Sequence, residues 1–310
     1  SLSVTKPFYT PEGISLGYDI YRRDVNTSSL NLVTYNTSSF GAGVRFTIPL
    51  SEKNSMSYGL TLDNTEVSKL ELNRSPTRYI NYCSSVTNTA NSTGCTMNSL
   101  TASIGWAIDS RDDILFPKKG ELRRANAEVS APGLDIQIYK VTLQESWYKD
   151  ITKDLTVMLN GQLGYANSYG GKEFPFFKNF YLGGVNTVRG YRQGSIGPVC
   201  VQGDASCGLS TSTTNMFVGG NKQVLANAEL FMPVPFLKNN NQFRLSAFID
   251  AGNVYAYEES VNLSTLRYSA GMGVMWVSPF GPLKILYAMP FNNQSTDRTE
   301  SFQFQMGQQF

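Results

Sequence analysis

The sequence predicts an all-β protein, a transmembrane antiparallel β-barrel, from three observations. Apolar residues recur at every second position through almost all of the 310 residues, the period of a strand with one apolar face. Most of these runs approach the ~9–11 residues that a tilted strand needs to cross a bilayer. The connections alternate between short and long, as in barrels with turns on one side of the membrane and loops on the other.

The apolar faces follow one another along the chain. Ile14, Leu16, Tyr18 and Ile20 form one, Val44 to Leu50 the next, and Met56, Tyr58, Leu60 and Leu62 another. Leu100 to Ile108, Tyr139 to Leu143 with Trp147, and Leu155 to Tyr165 continue the series at the same spacing. Downstream come Val224 to Met232, Phe243 to Ile249, Tyr268 to Trp276 and Leu283 to Met289, whose alternate positions are small or polar: Asn227, Glu229, Arg244, Ser246, Asp250, Ser269, Gly271, Gly273 and Lys284. The last strand places Phe302, Phe304, Met306 and the terminal Phe310 on one face, and Gln303, Gln305 and Gly307 on the other. A C-terminal strand ending in Phe is what membrane barrels present for assembly. With weaker strands near residues 1–9 and 121–131, about twelve to thirteen strands are expected. Short connections fall at Pro49–Ser55, Asp150–Asp154 and Ser278–Gly281, and long ones at Glu71–Ser99, Asn167–Lys222 and Tyr257–Leu266. A soluble β-sandwich would show fewer, shorter strands, with fewer Trp and Tyr at the ends of apolar faces.

Composition narrows the chemistry. Lys and Arg number 26 against 24 Asp and Glu, a balance that points to no nucleic-acid partner. Apolar stretches stay well short of the ~18 residues of a membrane helix, which does not count against a barrel. The sequence contains no histidine, so a Ser-His-Asp or Cys-His triad and a His-ligated metal are excluded, and no enzymatic activity, metal or cofactor is expected. Four cysteines fall in two local pairs, Cys83 with Cys95 and Cys200 with Cys207, neither at zinc-type spacing and both in polar, loop-like sequence. They read as two loop disulfides of an oxidising compartment, the alternative being four reduced thiols. The whole of 1–310 is read as one barrel domain. The basic pairs Arg22-Arg23, Lys118-Lys119 and Arg123-Arg124 read as strand-end or headgroup contacts, and the Asp109–Asp113 cluster has no catalytic reading.

One segment breaks the rhythm. Residues 166–222 form a connection of more than fifty residues, and loops of that length generally carry function. It contains Phe176-Phe177 and, further on, Val188-Arg189-Gly190-Tyr191, with Gly170-Gly171-Lys172-Glu173-Phe174-Pro175 before and Ser195-Ile196-Gly197-Pro198 after. This stretch resembles the loop motif of the BamA family, the insertases of the β-barrel assembly machinery, whose pattern is Val-Arg-Gly-Phe; here Tyr191 replaces the Phe. Pro279–Lys284 and Phe302–Gly307 look like the family's last two strands, and Ser3–Tyr9 looks like a segment near its fourth. The resemblance covers essentially the whole chain.

The resemblance implies a bacterial outer-membrane barrel, sixteen-stranded in the family and preceded by POTRA domains. The chain shows neither those domains nor the first strands, so a truncated polypeptide or a different closure is expected. It also implies that the long loop folds back inside the barrel, where Arg189 meets acids of the inner wall. Glu229 and Asp250 match those acids, and both independently fall on lumen-facing phases. A guanidinium can fork across carboxylates as an ammonium cannot, and Gly190 would allow a tight turn or a close approach. Read without the resemblance, Arg189 could be a solvated loop charge and the two acids the lining of a wet lumen. The implied function is the folding and insertion of nascent outer-membrane proteins, with those clients, accessory assembly-machinery lipoproteins and outer-membrane lipid as partners. The alternatives are a relative that secretes a partner protein through its lumen, and a passive porin.

Overall fold

Alternating apolar and polar residues pair into one continuous antiparallel sheet of thirteen strands. The computed structural model describes residues 1–27, 35–72, 75–114, 116–201, 203, 207, 215–234, 242–279 and 281–307. In chain order the strands are β1 (Leu2–Lys6), β2 (Ser15–Asn26), β3 (Asn36–Ser51), β4 (Asn54–Ser68), β5 (Cys95–Asp109), β6 (Gly120–Ser130), β7 (Ile138–Asp150) and β8 (Thr156–Ser168). The two-residue strands β9 (Val199–Cys200) and β10 (Met216–Phe217) pair with each other inside the long loop. Then follow β11 (Lys222–Met232), β12 (Phe243–Tyr255), β13 (Arg267–Ser278), β14 (Gly281–Phe291) and β15 (Phe302–Met306). Each strand of the large sheet pairs with its neighbours in sequence, and β8 pairs with β11 across the long loop. Among the described residues β1 and β15 are the two edges.

The two faces of the sheet separate as the alternation predicts. Ile249, Met272, Tyr287, Phe302, Phe304 and Met306 point outward and are exposed, as a lipid-facing surface requires. All three Trp of the chain, Trp106, Trp147 and Trp276, lie on this outer face within a few residues of the short-turn ends of β5, β7 and β13. Trp side chains collect at that depth because the ring is apolar while its N–H needs a polar partner. Phe310 lies outside the described residues.

The sheet curls. A flat sheet would hold β6 and β12, four strand spacings apart, at roughly 19 Å. Yet the carbonyl of Pro117, in the β5–β6 turn, accepts from the Arg244 guanidinium of β12 at 3.3 Å. The turn therefore crosses the concave face.

The buried core is inside the curl at the long-loop end, and loops build it. Phe176 of the long loop stacks on Tyr79 at 3.8 Å between ring centroids and packs edge-on against Tyr35 and Tyr82. The Tyr79 hydroxyl donates to the Val218 carbonyl, and Thr77 N–H to the Cys207 carbonyl, which ties this cluster to the far end of the same loop.

The Glu71–Ser99 segment, expected as a loop, is different. It contains a helix, α1 (Thr77–Thr87), and β5 begins as early as Cys95. Cys83 therefore sits in a helix and Cys95 on a strand, so the Cys83–Cys95 disulfide staples α1 to the sheet instead of closing a loop. Pro76 starts the helix with an extended conformation, and Asn88 ends it in the left-handed region, which Asn tolerates. Tyr79, Ile80, Tyr82 and Cys83 form its buried face. That face is one turn of apolar spacing in Ser-, Thr- and Asn-rich sequence, too short to read as a period. The second disulfide joins Cys200, on β9, to Cys207.

Because Phe176 is the hub of the core, Phe176→Ala should cost roughly 3–5 kcal/mol in packing. Residues 169–201 should become cleavable by a protease added from the loop side, while the sheet strands stay protected. An unchanged digestion pattern would contradict this reading of the core.

Candidate functional site

The motif Val188–Tyr191 lies in the long loop, inside the curl and against the wall formed by β11 to β15. Arg189 is 3% exposed. Its Nε donates to Asp250 Oδ2 at 2.8 Å and its Nη2 to Asp250 Oδ1 at 2.7 Å, a two-pronged fork. Nη1 donates to Glu229 Oε2 at 2.8 Å, and the backbone N–H of Arg189 reaches Asp250 Oδ2 at 3.0 Å. The guanidinium also lies over the Phe248 ring, 3.5 Å from its centroid, where the negative ring face favours a cation.

The strands position both acids by phase. Glu229 on β11 is opposite Phe248 on β12, and Asp250 stands two residues further along the same face of β12. Asn227, opposite Asp250, donates to both Asp250 Oδ1 and the Thr187 carbonyl at 2.8 Å. Asp250 thus accepts three bonds from Arg189 and one from Asn227, filling the roughly four acceptor sites of a carboxylate. It is fully buried and fully paired. Burial alone would lower the pKa of Arg189, but the Asp250 bonds and the two carboxylate charges outweigh it, so the guanidinium lies above the ordinary arginine value.

The rest of the motif touches other strands. Gly190 has φ +85°, and a Cβ there would sit 3.0 Å from that of Ala288 on β14, so conformation and space both call for glycine. Its N–H donates to Gln303 Oε1 of β15 at 3.0 Å, and Gln303 Nε2 donates to the Tyr191 carbonyl at 2.7 Å. The Tyr191 hydroxyl lies 3.2 Å from the carbonyls of Tyr268 and Phe291, at the loop-side ends of β13 and β14. The hydroxyl that distinguishes Tyr from the family's Phe therefore meets two acceptors.

Below the motif, toward the short turns, a cavity of about 400 Å³ is lined by Arg189, Glu229, Arg244, Lys284, Tyr148 and Asn160 among others. A second buried ion pair, Arg267–Asp297 at 3.0 Å, joins β13 to the β14–β15 loop and receives support from Asn253. Among the described residues no group of three or more metal-ligating side chains occurs.

The structure brings Arg189, Glu229 and Asp250 together and places Phe302, Phe304 and Met306 on the opposite, outer face. Sequence reasoning had no place for Phe248 or the Arg267–Asp297 pair; it put Gln303 on the inward face without partners and took Asn227 as lumen lining only. Phe248 did carry a signal, since an aromatic among Ser246, Asp250 and other small or polar residues on an inward phase needs a partner there.

Removing Arg189 leaves two buried carboxylates uncompensated, and Asp250→Asn turns an amide donor toward guanidinium donors that need acceptors. Arg189→Ala and Asp250→Asn should each destabilise the folded domain by roughly 3–5 kcal/mol, read as a lower urea midpoint in detergent micelles. Arg189→Glu with Asp250→Arg should recover part of the loss; a wild-type midpoint for Arg189→Ala would sink the reading. Tyr191→Phe should cost only about 1 kcal/mol in the same assay, because it removes one shared hydrogen bond.

All 310 residues match the Omp85 superfamily domain. The chain is 35% identical over 338 aligned residues to the outer membrane protein assembly factor BamA of Neisseria meningitidis serogroup B, covering 100% of this chain and 41% of that protein. A sorting and assembly machinery component 50 homolog of Xenopus tropicalis is 29% identical over 218 residues, covering 66% of this chain and 44% of that protein. The crystal structure of BamA from Haemophilus ducreyi lacking POTRA domains 1–3 superposes with a TM-score of 0.86 at 29% identity, over 97% of this chain and 60% of that one. The chain thus spans less than two thirds of the length of each of these relatives, and under half of the Neisseria and Xenopus proteins. From the full-length match, the shared barrel architecture and the likeness to the Neisseria protein, the chain belongs to the Omp85 superfamily as a BamA-like β-barrel domain of the bacterial outer membrane.

Proposed function

We propose that the protein carrying this domain folds and inserts nascent β-barrel proteins into the outer membrane. The observation that carries the reading is the motif loop itself: it docks inside the curl of a chain that resembles an outer membrane protein assembly factor from end to end. In this reading Arg189, Glu229 and Asp250 hold the loop in place and make no bonds to a client. The working surface is the sheet edge, where an incoming strand adds by main-chain hydrogen bonding. The outward-facing Phe302, Phe304 and Met306 match the apolar face expected of a client's own last strand. Insertion would draw its energy from client folding, since each strand that closes satisfies backbone groups that lipid cannot. Accessory lipoproteins and outer-membrane lipid complete the proposed set of partners, and no bond-making chemistry is assigned.

Reconstitution tests this directly. The full-length protein in liposomes should speed the folding of a urea-unfolded outer-membrane protein at least several-fold over empty vesicles, and Arg189→Ala should lose most of that gain. Equal rates with wild-type and empty vesicles would end the proposal.

A further inference from the structure

The last strand is bound to the motif loop as well as to its sheet neighbour. Among the described residues β15 pairs with β14 alone, through the five residues Phe302–Met306. A five-residue edge strand is weakly held by its ladder, since edges and short elements open at low cost. Gln303, on its inward face and 4% exposed, adds a second attachment. Its carboxamide accepts from Gly190 N–H and donates to the Tyr191 carbonyl, so only one orientation of the amide satisfies both partners. Just before β15, the chain continues this contact: Glu300 N–H donates to the Gly190 carbonyl, Arg192 N–H donates to the Arg298 carbonyl, and Tyr191 bridges Thr299. The residue preceding this seam is Arg189, which is fastened to β11 and β12.

We propose that Gln303 is a positioning residue that couples the docked loop to the last strand. While Arg189 holds the loop on the wall, Gly190 and Tyr191 present one donor and one acceptor spaced for a single carboxamide, and β15 stays pinned against β14. When the loop leaves the wall, both bonds go with it and β15 is left to its five-residue ladder with β14. Any part this coupling plays in client insertion rests on the assembly function proposed above; the coupling itself does not.

Backbone hydrogen exchange on the full-length protein in lipid nanodiscs tests the coupling, comparing the segment 300–306 with β12. Losing two hydrogen bonds of ordinary strength in Gln303→Leu should raise exchange in 300–306 about tenfold or more, with β12 unchanged. Arg189→Ala should raise the same exchange in the wild-type background and add little in the Gln303→Leu background. A purely structural side chain would give additive effects instead. Gln303→Met removes both bonds at nearly equal volume, should raise the same exchange, and serves as the probe if the Leu variant folds poorly. Unchanged exchange in both Gln303 variants, or additivity in the double variant, overturns the proposal. Client-folding rates on the same samples separate the two ideas: coupled exchange without any acceleration would reject the assembly function and leave the coupling standing.

Discussion

A guanidinium shut away from water has to be matched donor by donor, and the arrangement of this molecule follows from how Arg189 is matched. Two of its prongs and its own backbone N–H converge on Asp250, the third prong takes Glu229, and the Phe248 ring closes the remaining face. Asp250 has no acceptor capacity to spare once Asn227 is added. Such a set is satisfied in one geometry. It holds only if β11 and β12 keep their register and the loop enters at one height. A buried ionic cluster adds little net stability over an apolar one of equal volume, but removing one member is expensive. Its weight therefore lies in which arrangement it permits.

The division of labour between the two faces explains why that matters. The outer residues meet fluid hydrocarbon, which accepts any apolar side chain and imposes no mutual fit. The interior carries the specific contacts, and its apolar part is supplied by loops: Phe176 among Tyr35, Tyr79 and Tyr82, and Val188 and Tyr191 with no exposed surface. The long loop is thus the core of the fold as much as a connection across it.

This division also marks what the sequence could reveal. Strand positions were legible because a lipid-facing strand must alternate, and the lumen-facing phases of Glu229 and Asp250 came with them. The pairing of Arg189 with those acids was implied only by resemblance, since alternation says which side a carboxylate faces and nothing of what reaches it. Helix α1 was hidden because its apolar face, Tyr79 to Cys83, covers little more than one turn and does not repeat. The Gln303 bonds were hidden for another reason. They run from a side chain to the backbone of Gly190 and Tyr191, and a backbone N–H or carbonyl leaves no mark in a sequence. Arg267 and Asp297 are common surface residue types thirty positions apart, and only the path of the β14–β15 loop makes them a buried pair.

Four consecutive residues of the loop reach five consecutive strands. Val188 packs so closely on β12 that only a glycine, Gly252, fits beneath it. Arg189 takes β11 and β12, Gly190 lies against Ala288 of β14, Gln303 of β15 holds the Gly190–Tyr191 peptide, and the Tyr191 hydroxyl closes on the ends of β13 and β14. These contacts are made together at the one curvature the sheet adopts around the motif. Flattening the sheet, or swinging β15 away, must break some of them, and lifting the loop releases the wall on both sides at once. The motif therefore acts as a gauge of curvature, and the weakest strand it spans, the five-residue β15, is where a change in that curvature would first appear.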